Sequence, residues 1–300
     1  MSGLFYHVFT SSALVSLGLY HLICTIRNHL RSPREYIAKS YHPFASHFTK
    51  HLQLYLIIIC LLITFIAQTA TSFDSDPLVK GRSPVHHFSS LQSATVVFLF
   101  LILSLTLLIS ETTTILPFSS DIFFGTASAV FFLQYSVSAS SASIQTSDLE
   151  AKCDSVSATI SALSGISCVI LACNPRLFVA DVSLGALFCL QGLWSLQTGL
   201  SLYVDAFIPD GCNKLLDVVG GVEGSTVCYL EDSKLRATAI LDLMFVVYVV
   251  FVVLILIVTY AVTSKVIGVR FGTYEALPIS SGVVTDSNHI QMKEINGTQA

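Results

Sequence analysis

The stretch Ala237–Val262 constrains this chain more than any other. It holds 26 residues with one charged side chain, Asp242, and at its centre Phe245 to Val258 carries a single polar side-chain atom, on Tyr248. About 20 mostly apolar residues in a helix are enough to cross the hydrocarbon layer of a bilayer. A helix that is apolar on every side has no wetted face to offer a soluble fold. The composition agrees: 53% of the 300 residues are hydrophobic and 11% are charged, where soluble domains carry about 25% charged residues. Mean hydropathy is +0.73. Such a chain is too aliphatic to be disordered. With 15 Lys and Arg against 19 Asp and Glu, it also lacks the basic excess of a nucleic-acid binder, so no nucleic-acid partner is expected.

The expected fold is all-α, an integral membrane bundle of about seven transmembrane helices. Leu52–Thr71 and Leu91–Ser110 are nearly as apolar as the last segment. Leu4–Ile26 and Phe178–Val204 are apolar with polar interruptions, and Phe123–Ser143 and Val156–Cys173 are the least apolar, rich in Ser and Ala. Residues 1–265 thus form one transmembrane domain, with 266–300 expected as a disordered cytosolic tail. No Lys or Arg precedes Arg27, so the first segment lacks the basic start of a signal peptide.

Basic residues set the expected orientation. Arg27, Arg31, Arg34, Lys39 and Lys50 follow the first segment; with Arg176, Lys265, Arg270 and Lys293 they give nine on one side. Lys80, Arg82, Lys152, Lys214, Lys234 and Arg236 give six on the other. The amino terminus is therefore expected outside or in a lumen and the carboxyl terminus in the cytosol. The basic first loop, which also carries His29, His42, His47 and His51, reads as an anchor to anionic lipid headgroups. Lipid is the expected partner, and the sequence identifies no protein partner and no cofactor.

Cys24, Cys60, Cys168, Cys173 and Cys189 fall within spans, where Cys behaves as a small apolar residue. Cys212 and Cys228 share an outer loop and are the candidate disulfide, with Cys153 as a competing partner on the same side. In the tail, Tyr274 and Leu277 have the spacing of a Tyr-x-x-apolar sorting signal. The sequon Asn296-Gly-Thr298 lies in the same tail and is expected to stay unmodified.

Ionisable side chains inside a membrane are costly and usually face the bundle interior. In the first segment His7, Ser11, Leu14, Gly18, His21 and Thr25 form one helical stripe, and in the sixth Asp181, Gly185, Phe188, Gly192, Ser195 and Gly199 form another. Two readings of the first stripe stay open: a ligand or proton site, or histidines that fix helix packing by hydrogen bonds. His7 and His21 are 14 residues apart, about 21 Å along a helix, so they cannot share a metal ion. His21, Glu111, Asp121 and Asp181 lie toward the cytosolic end, and His7, Asp205 and Asp242 toward the other. The candidate intramembrane polar site is thus His7, His21, Glu111, Asp181 and Asp242, with no metal site assigned. Gly-x-Ser-x-Gly, Walker, His-Glu-x-x-His and Cys-x-x-Cys patterns are all missing. His86-His87 is an adjacent pair in a loop, a weak metal signal.

Two groups of motifs resemble a known family. Leu17-Gly-Leu-Tyr-His-Leu-Ile23 resembles the Gly-aromatic-His signature of the transmembrane protein 45 family, also called domain of unknown function 716, and Ser32-Pro-Arg-Glu-Tyr-Ile-Ala-Lys-Ser-Tyr-His-Pro-Phe44 resembles its plant branch. Leu190-Gln-Gly-Leu-Trp-Ser-Leu-Gln197, Leu202-Tyr203 and Pro209-Asp-Gly-Cys212 extend the resemblance. It implies a bundle of about seven helices, no established enzymatic activity and a loose link to stress or defence responses. Related sequences carry histidines around a Leu-Glu pair; here Leu149-Glu150 is present without them. The leading expectation is a membrane protein that acts by binding or assembly. The alternatives are a proton- or metal-linked transporter or channel and an intramembrane metal-dependent hydrolase.

Overall fold

The computed structural model describes residues 2–43, 50–73, 85–113, 116–145, 147–216 and 223–268. Within them the chain forms seven long helices: α1 (Ser2–Arg31), α2 (Leu52–Phe73), α3 (Val85–Thr112), α4 (Ser120–Ile144), α5 (Asp148–Cys173), α6 (Phe178–Tyr203) and α7 (Glu231–Ile267). All seven are long and apolar enough to cross a membrane. The Ser- and Ala-rich α4 and α5 have 25 and 26 residues, more than the hydrocarbon layer requires. The protein is a seven-helix, multi-pass membrane bundle.

Local chemistry marks where the helices stop. Ser32, the residue after α1, precedes Pro33, which opens a short 3-10 turn, Pro33–Glu35; a residue before proline is pushed out of helical geometry. Pro175 separates α5 from α6, and the Asn174 side chain accepts from the Arg176 amide at 3.3 Å. At the end of α7, Gly268 takes the left-handed conformation, φ 74°, and its amide returns to the Lys265 carbonyl at 3.2 Å. Glycine closes a helix this way without the Cβ penalty.

Neighbours in the bundle are α2 with α3, α3 with α4, α4 with α5, α5 with α6, and α6 with α1, while α7 lies against α1, α5 and α6. The main core is where α1, α5, α6 and α7 meet, at Leu22, Ile26, Ile160, Leu190, Trp194 and Leu241. Trp194 is fully buried, and its indole donates to the Cys153 carbonyl at 3.0 Å. Val246, Val250, Phe251, Leu254, Ile257 and Val258 on α7 are exposed. In a bilayer that surface meets lipid chains, so its exposure carries no hydrophobic cost.

Between α6 and α7 the expected outer loop is instead a two-stranded antiparallel hairpin: β1 (Cys212–Leu216) and β2 (Glu223–Cys228), with Cys212 opposite Cys228. Those two cysteines form a disulfide with a Cα separation of 4.1 Å, while Cys153 is free and buried. The Ser147 hydroxyl donates to the Thr226 carbonyl at 2.6 Å, and the Thr226 hydroxyl donates to the Leu202 carbonyl at 3.1 Å. These bonds seat the hairpin on the start of α5 and the end of α6. Of the expected tail 266–300, Val266 and Ile267 still belong to α7 and Gly268 caps it; the remainder, with Tyr274, Leu277 and Asn296, lies outside the described residues, as does His47.

Candidate functional site

The two polar stripes face each other along an antiparallel α1–α6 seam. His7 meets Ser195 at 3.4 Å near one end, and His21 meets Asp181 at 2.7 Å near the other. Between them the backbones approach closely. A Cβ on Gly18 would lie 2.8 Å from the Cys189 amide nitrogen and the Gly185 carbonyl oxygen; one on Gly192 would lie 2.9 Å from the Val15 nitrogen. Small residues at these positions let the helices come near enough for side chains at both ends to bond.

At the Asp181 end the seam opens into a buried polar cluster. Asp181 sits in the first turn of α6 and is fully buried. The helix N-terminus already favours a negative charge there. His21 Nε2 lies 2.7 Å from Asp181 Oδ1 and 3.2 Å from the Asp181 carbonyl oxygen. Both partners are acceptors, so Nε2 carries a proton. Tyr36 donates its hydroxyl to Asp181 Oδ2, and the Thr25 hydroxyl donates to the same oxygen at 3.3 Å. The carboxylate thus receives three side-chain donors, the arrangement that stabilises a buried anion.

Two of the cluster's side chains come from the first loop. Tyr36 and His42 are buried beside Asp181 and His21, with the His21 and His42 rings edge to face at 5.2 Å. His42 Nε2 lies 3.4 Å from the Thr25 hydroxyl oxygen. The His42 amide donates to the Gln53 side chain at 2.9 Å, and its carbonyl accepts from Tyr20 at 2.9 Å. The Ala38 amide donates to the Pro175 carbonyl at 2.7 Å. The loop is therefore drawn against the ends of α1, α2 and α6.

Burial holds His42 well below the ordinary histidine range, at about 4, with repulsion from His21 and Lys39 in the same direction and the Asp181 charge opposing them. His42 is neutral near pH 7 and can donate to Thr25, which in turn donates to Asp181. Burial, followed by the Asp181 charge, raises the Tyr36 phenol, so it remains a donor. The folded state binds the His42 proton more weakly than the unfolded chain does. Its stabilising contribution is therefore complete above about pH 6.5 and is lost as pH falls toward 4, on the order of 3 kcal/mol in all. Thermal unfolding of purified protein should weaken over that interval, and His42→Gln should flatten the dependence. Parallel pH profiles for the two proteins would mean that His42 is not buried in neutral form.

The other candidates lie elsewhere. Glu111 accepts from Tyr41 at 2.9 Å at the end of α3 and does not reach Asp181. Asp242 is exposed and pairs with Lys152 of α5 at 2.6 Å toward the opposite end of the bundle. His7 meets Ser195, and its ring lies edge to face with Tyr6 and tilted against Tyr203. Asp121 is exposed in the first turn of α4, and His86 and His87 lie in the first turn of α3. Sequence reasoning missed Tyr36, His42 and Gln53 as members of the cluster. The motif Ser32–Phe44 runs through the first two, and that was the available signal. Among the described residues, no group of three or more His, Cys, Asp or Glu is arranged to hold a metal ion.

Fold and site together define a class: a seven-helix membrane protein whose first loop is clasped to a buried carboxylate at the start of the sixth helix. Residues 120–261 match a family of unknown function, DUF716, and the match supports that family. It runs from α4 through most of α7 and includes Asp181, while α1 and the first loop lie before it. No curated protein matches the chain.

Proposed function

We propose that this chain acts in the membrane by binding or assembly, with its amino terminus outside or lumenal and its carboxyl end cytosolic. The observation that carries the reading is the Asp181 carboxylate, whose three side-chain donors His21, Tyr36 and Thr25 all belong to the chain itself. Such a group fixes a loop to helix ends, and coordination of a metal ion or substrate by Asp181 would require one of these partners to be given up. Support for the orientation comes from the basic residues at the first-loop end and from a disulfide at the other end, where an oxidising compartment would maintain it. The motifs Leu17–Ile23 and Ser32–Phe44 support a place in the plant-type branch of the transmembrane protein 45 family.

A second reading, a proton-linked transporter, draws on one observation: His42, Thr25, Asp181 and His21 form a contiguous chain of hydrogen-bonding groups. Proton flux into proteoliposomes separates the two. Binding or assembly predicts the flux of protein-free liposomes for wild type, His21→Ala and Asp181→Asn alike. Flux present in wild type and lost in either variant would overturn it in favour of transport. Protease protection of a tag placed after Ala300 tests the orientation, and a tag protected inside intact cells' lumenal vesicles would reverse it.

A further inference from the structure

The two ends of the bundle differ in charge. At the first-loop end, Arg27, Arg31, Arg34, Lys39 and Arg176 are exposed. The acids at this end are few: Glu35 and Asp121 are exposed, Glu111 is bonded to Tyr41, and Asp181 is buried in its cluster. The other end carries Asp148, Glu150, Asp205, Asp210, Glu231 and Asp232, with Lys234 already paired to Asp148 at 3.0 Å.

The geometry of the first loop makes its cations a surface rather than a loose tether. Along the extended stretch after the 3-10 turn, Tyr36 and Ala38 are buried, while Ile37 and Lys39 are exposed. This is the period-two alternation of an extended chain. The inward residues are held by the Tyr36–Asp181 bond and by the Ala38 amide on the Pro175 carbonyl, one residue before Arg176. Arg27 is the first charged residue of α1, and Arg176 sits in the turn between α5 and α6. The cations therefore lie where the apolar runs end, at the depth of lipid headgroups. Ile37, 48% exposed among them, is a large apolar side chain facing outward at that depth. A soluble anion gives such a residue no partner, whereas the headgroup–acyl boundary of a membrane does.

We propose that this clasped loop is a recognition surface for anionic lipid headgroups, with Arg27, Arg31, Arg34, Lys39 and Arg176 supplying charge and Ile37 entering the interface. The surface attracts the phosphate and carboxylate groups of one leaflet, and each cation contributes roughly a five-fold preference for anionic over zwitterionic lipid at low salt. The proposal stands apart from the reading of the bundle as a binding or assembly protein, since a transporter could carry the same surface.

The test uses the full chain in nanodiscs of phosphatidylcholine alone and of equal parts phosphatidylcholine and phosphatidylserine. Both faces of a nanodisc present the same lipid, so the result does not depend on orientation. Anionic lipid should raise the melting temperature of wild type, and added salt should shrink the shift. The variant R34Q/K39Q/R176Q should lose most of the shift, and Ile37→Ser should weaken it. Arg236→Gln, an exposed cation at the opposite end, should keep it. All these residues are exposed, so the variants should fold. Three outcomes would overturn the proposal: an unchanged shift in the triple variant, an equal loss with Arg236→Gln, or the same shift from inorganic phosphate added to phosphatidylcholine discs.

Discussion

Replacing Asp181 with Leu should lower stability by about 3–5 kcal/mol, the usual cost of breaking a buried charged pair from one side. The residue is fully buried, and its loss removes the side-chain acceptor shared by His21, Tyr36 and Thr25, leaving His21 Nε2 with the longer contact to the backbone carbonyl at 181 and Thr25 with His42. His21→Leu should cost a similar amount, since it leaves the carboxylate with two hydroxyl donors and no imidazole. The double variant should recover part of the loss, because the buried charge and its imidazole partner are both gone, while the Tyr36 hydroxyl still lacks its acceptor. Denaturant unfolding of the four proteins in one detergent gives the coupling energy. Coupling below about 0.5 kcal/mol would mean the two side chains act independently and would remove the clasp. Trypsin provides a second readout at Arg34 and Lys39. Cleavage there should accelerate in either single variant, because Tyr36 loses its acceptor or the acceptor loses its place.

The second large effect is expected at Gly18. Its missing Cβ faces the backbone of α6, 2.8 Å from both the Cys189 amide nitrogen and the Gly185 carbonyl oxygen. Backbone cannot rotate aside as a side chain can, so Gly18→Val must push α1 away from α6. Overpacking of this kind costs about 1–3 kcal/mol, and more where nothing can yield. The displacement should also lengthen the His21–Asp181 bond three residues along the seam, so loop cleavage by trypsin should rise in this variant too. Gly125 on α4 is the control, with nothing within 4 Å of its hypothetical Cβ. There Gly125→Ala should be neutral or stabilising by up to about 1 kcal/mol through helix propensity. Equal melting temperatures for the Gly18 and Gly125 variants would contradict the close α1–α6 packing.

Much of this architecture was legible in the residues. Each span announces itself by apolar length, because bilayer thickness sets how many residues a crossing helix needs. Even the Ser- and Ala-rich α4 and α5 pass that test. Helix boundaries were less legible. Val156 marks where apolar residues begin, yet α5 starts at Asp148, since a helix continues past the membrane wherever its first turn finds partners. The hairpin was not legible, because its two strands are five and six residues long and gain their stability from the bond across Cys212 and Cys228 and from the seat on α5 and α6.

For the candidate site the division is sharper. Both stripes could be read from helical periodicity, which places residues three and four apart on one face. Their pairing could not, because periodicity within a helix says nothing about which helix it faces. Glu111 and Asp242 stand beside Asp181 in the candidate set, and the structure gives them other neighbours: Tyr41 for one, Lys152 for the other.

The sequence by itself determined the class, the number of crossings and the sorting of charge between the two ends. Those follow from composition along a single strand of chain and from the cost of polar groups in hydrocarbon. The tertiary structure alone decided that Tyr36 and His42 fold back from a basic loop to meet Asp181. That outcome depends on contacts between residues more than 130 positions apart, and on glycines that let α1 and α6 approach closely enough for His21 to reach Asp181.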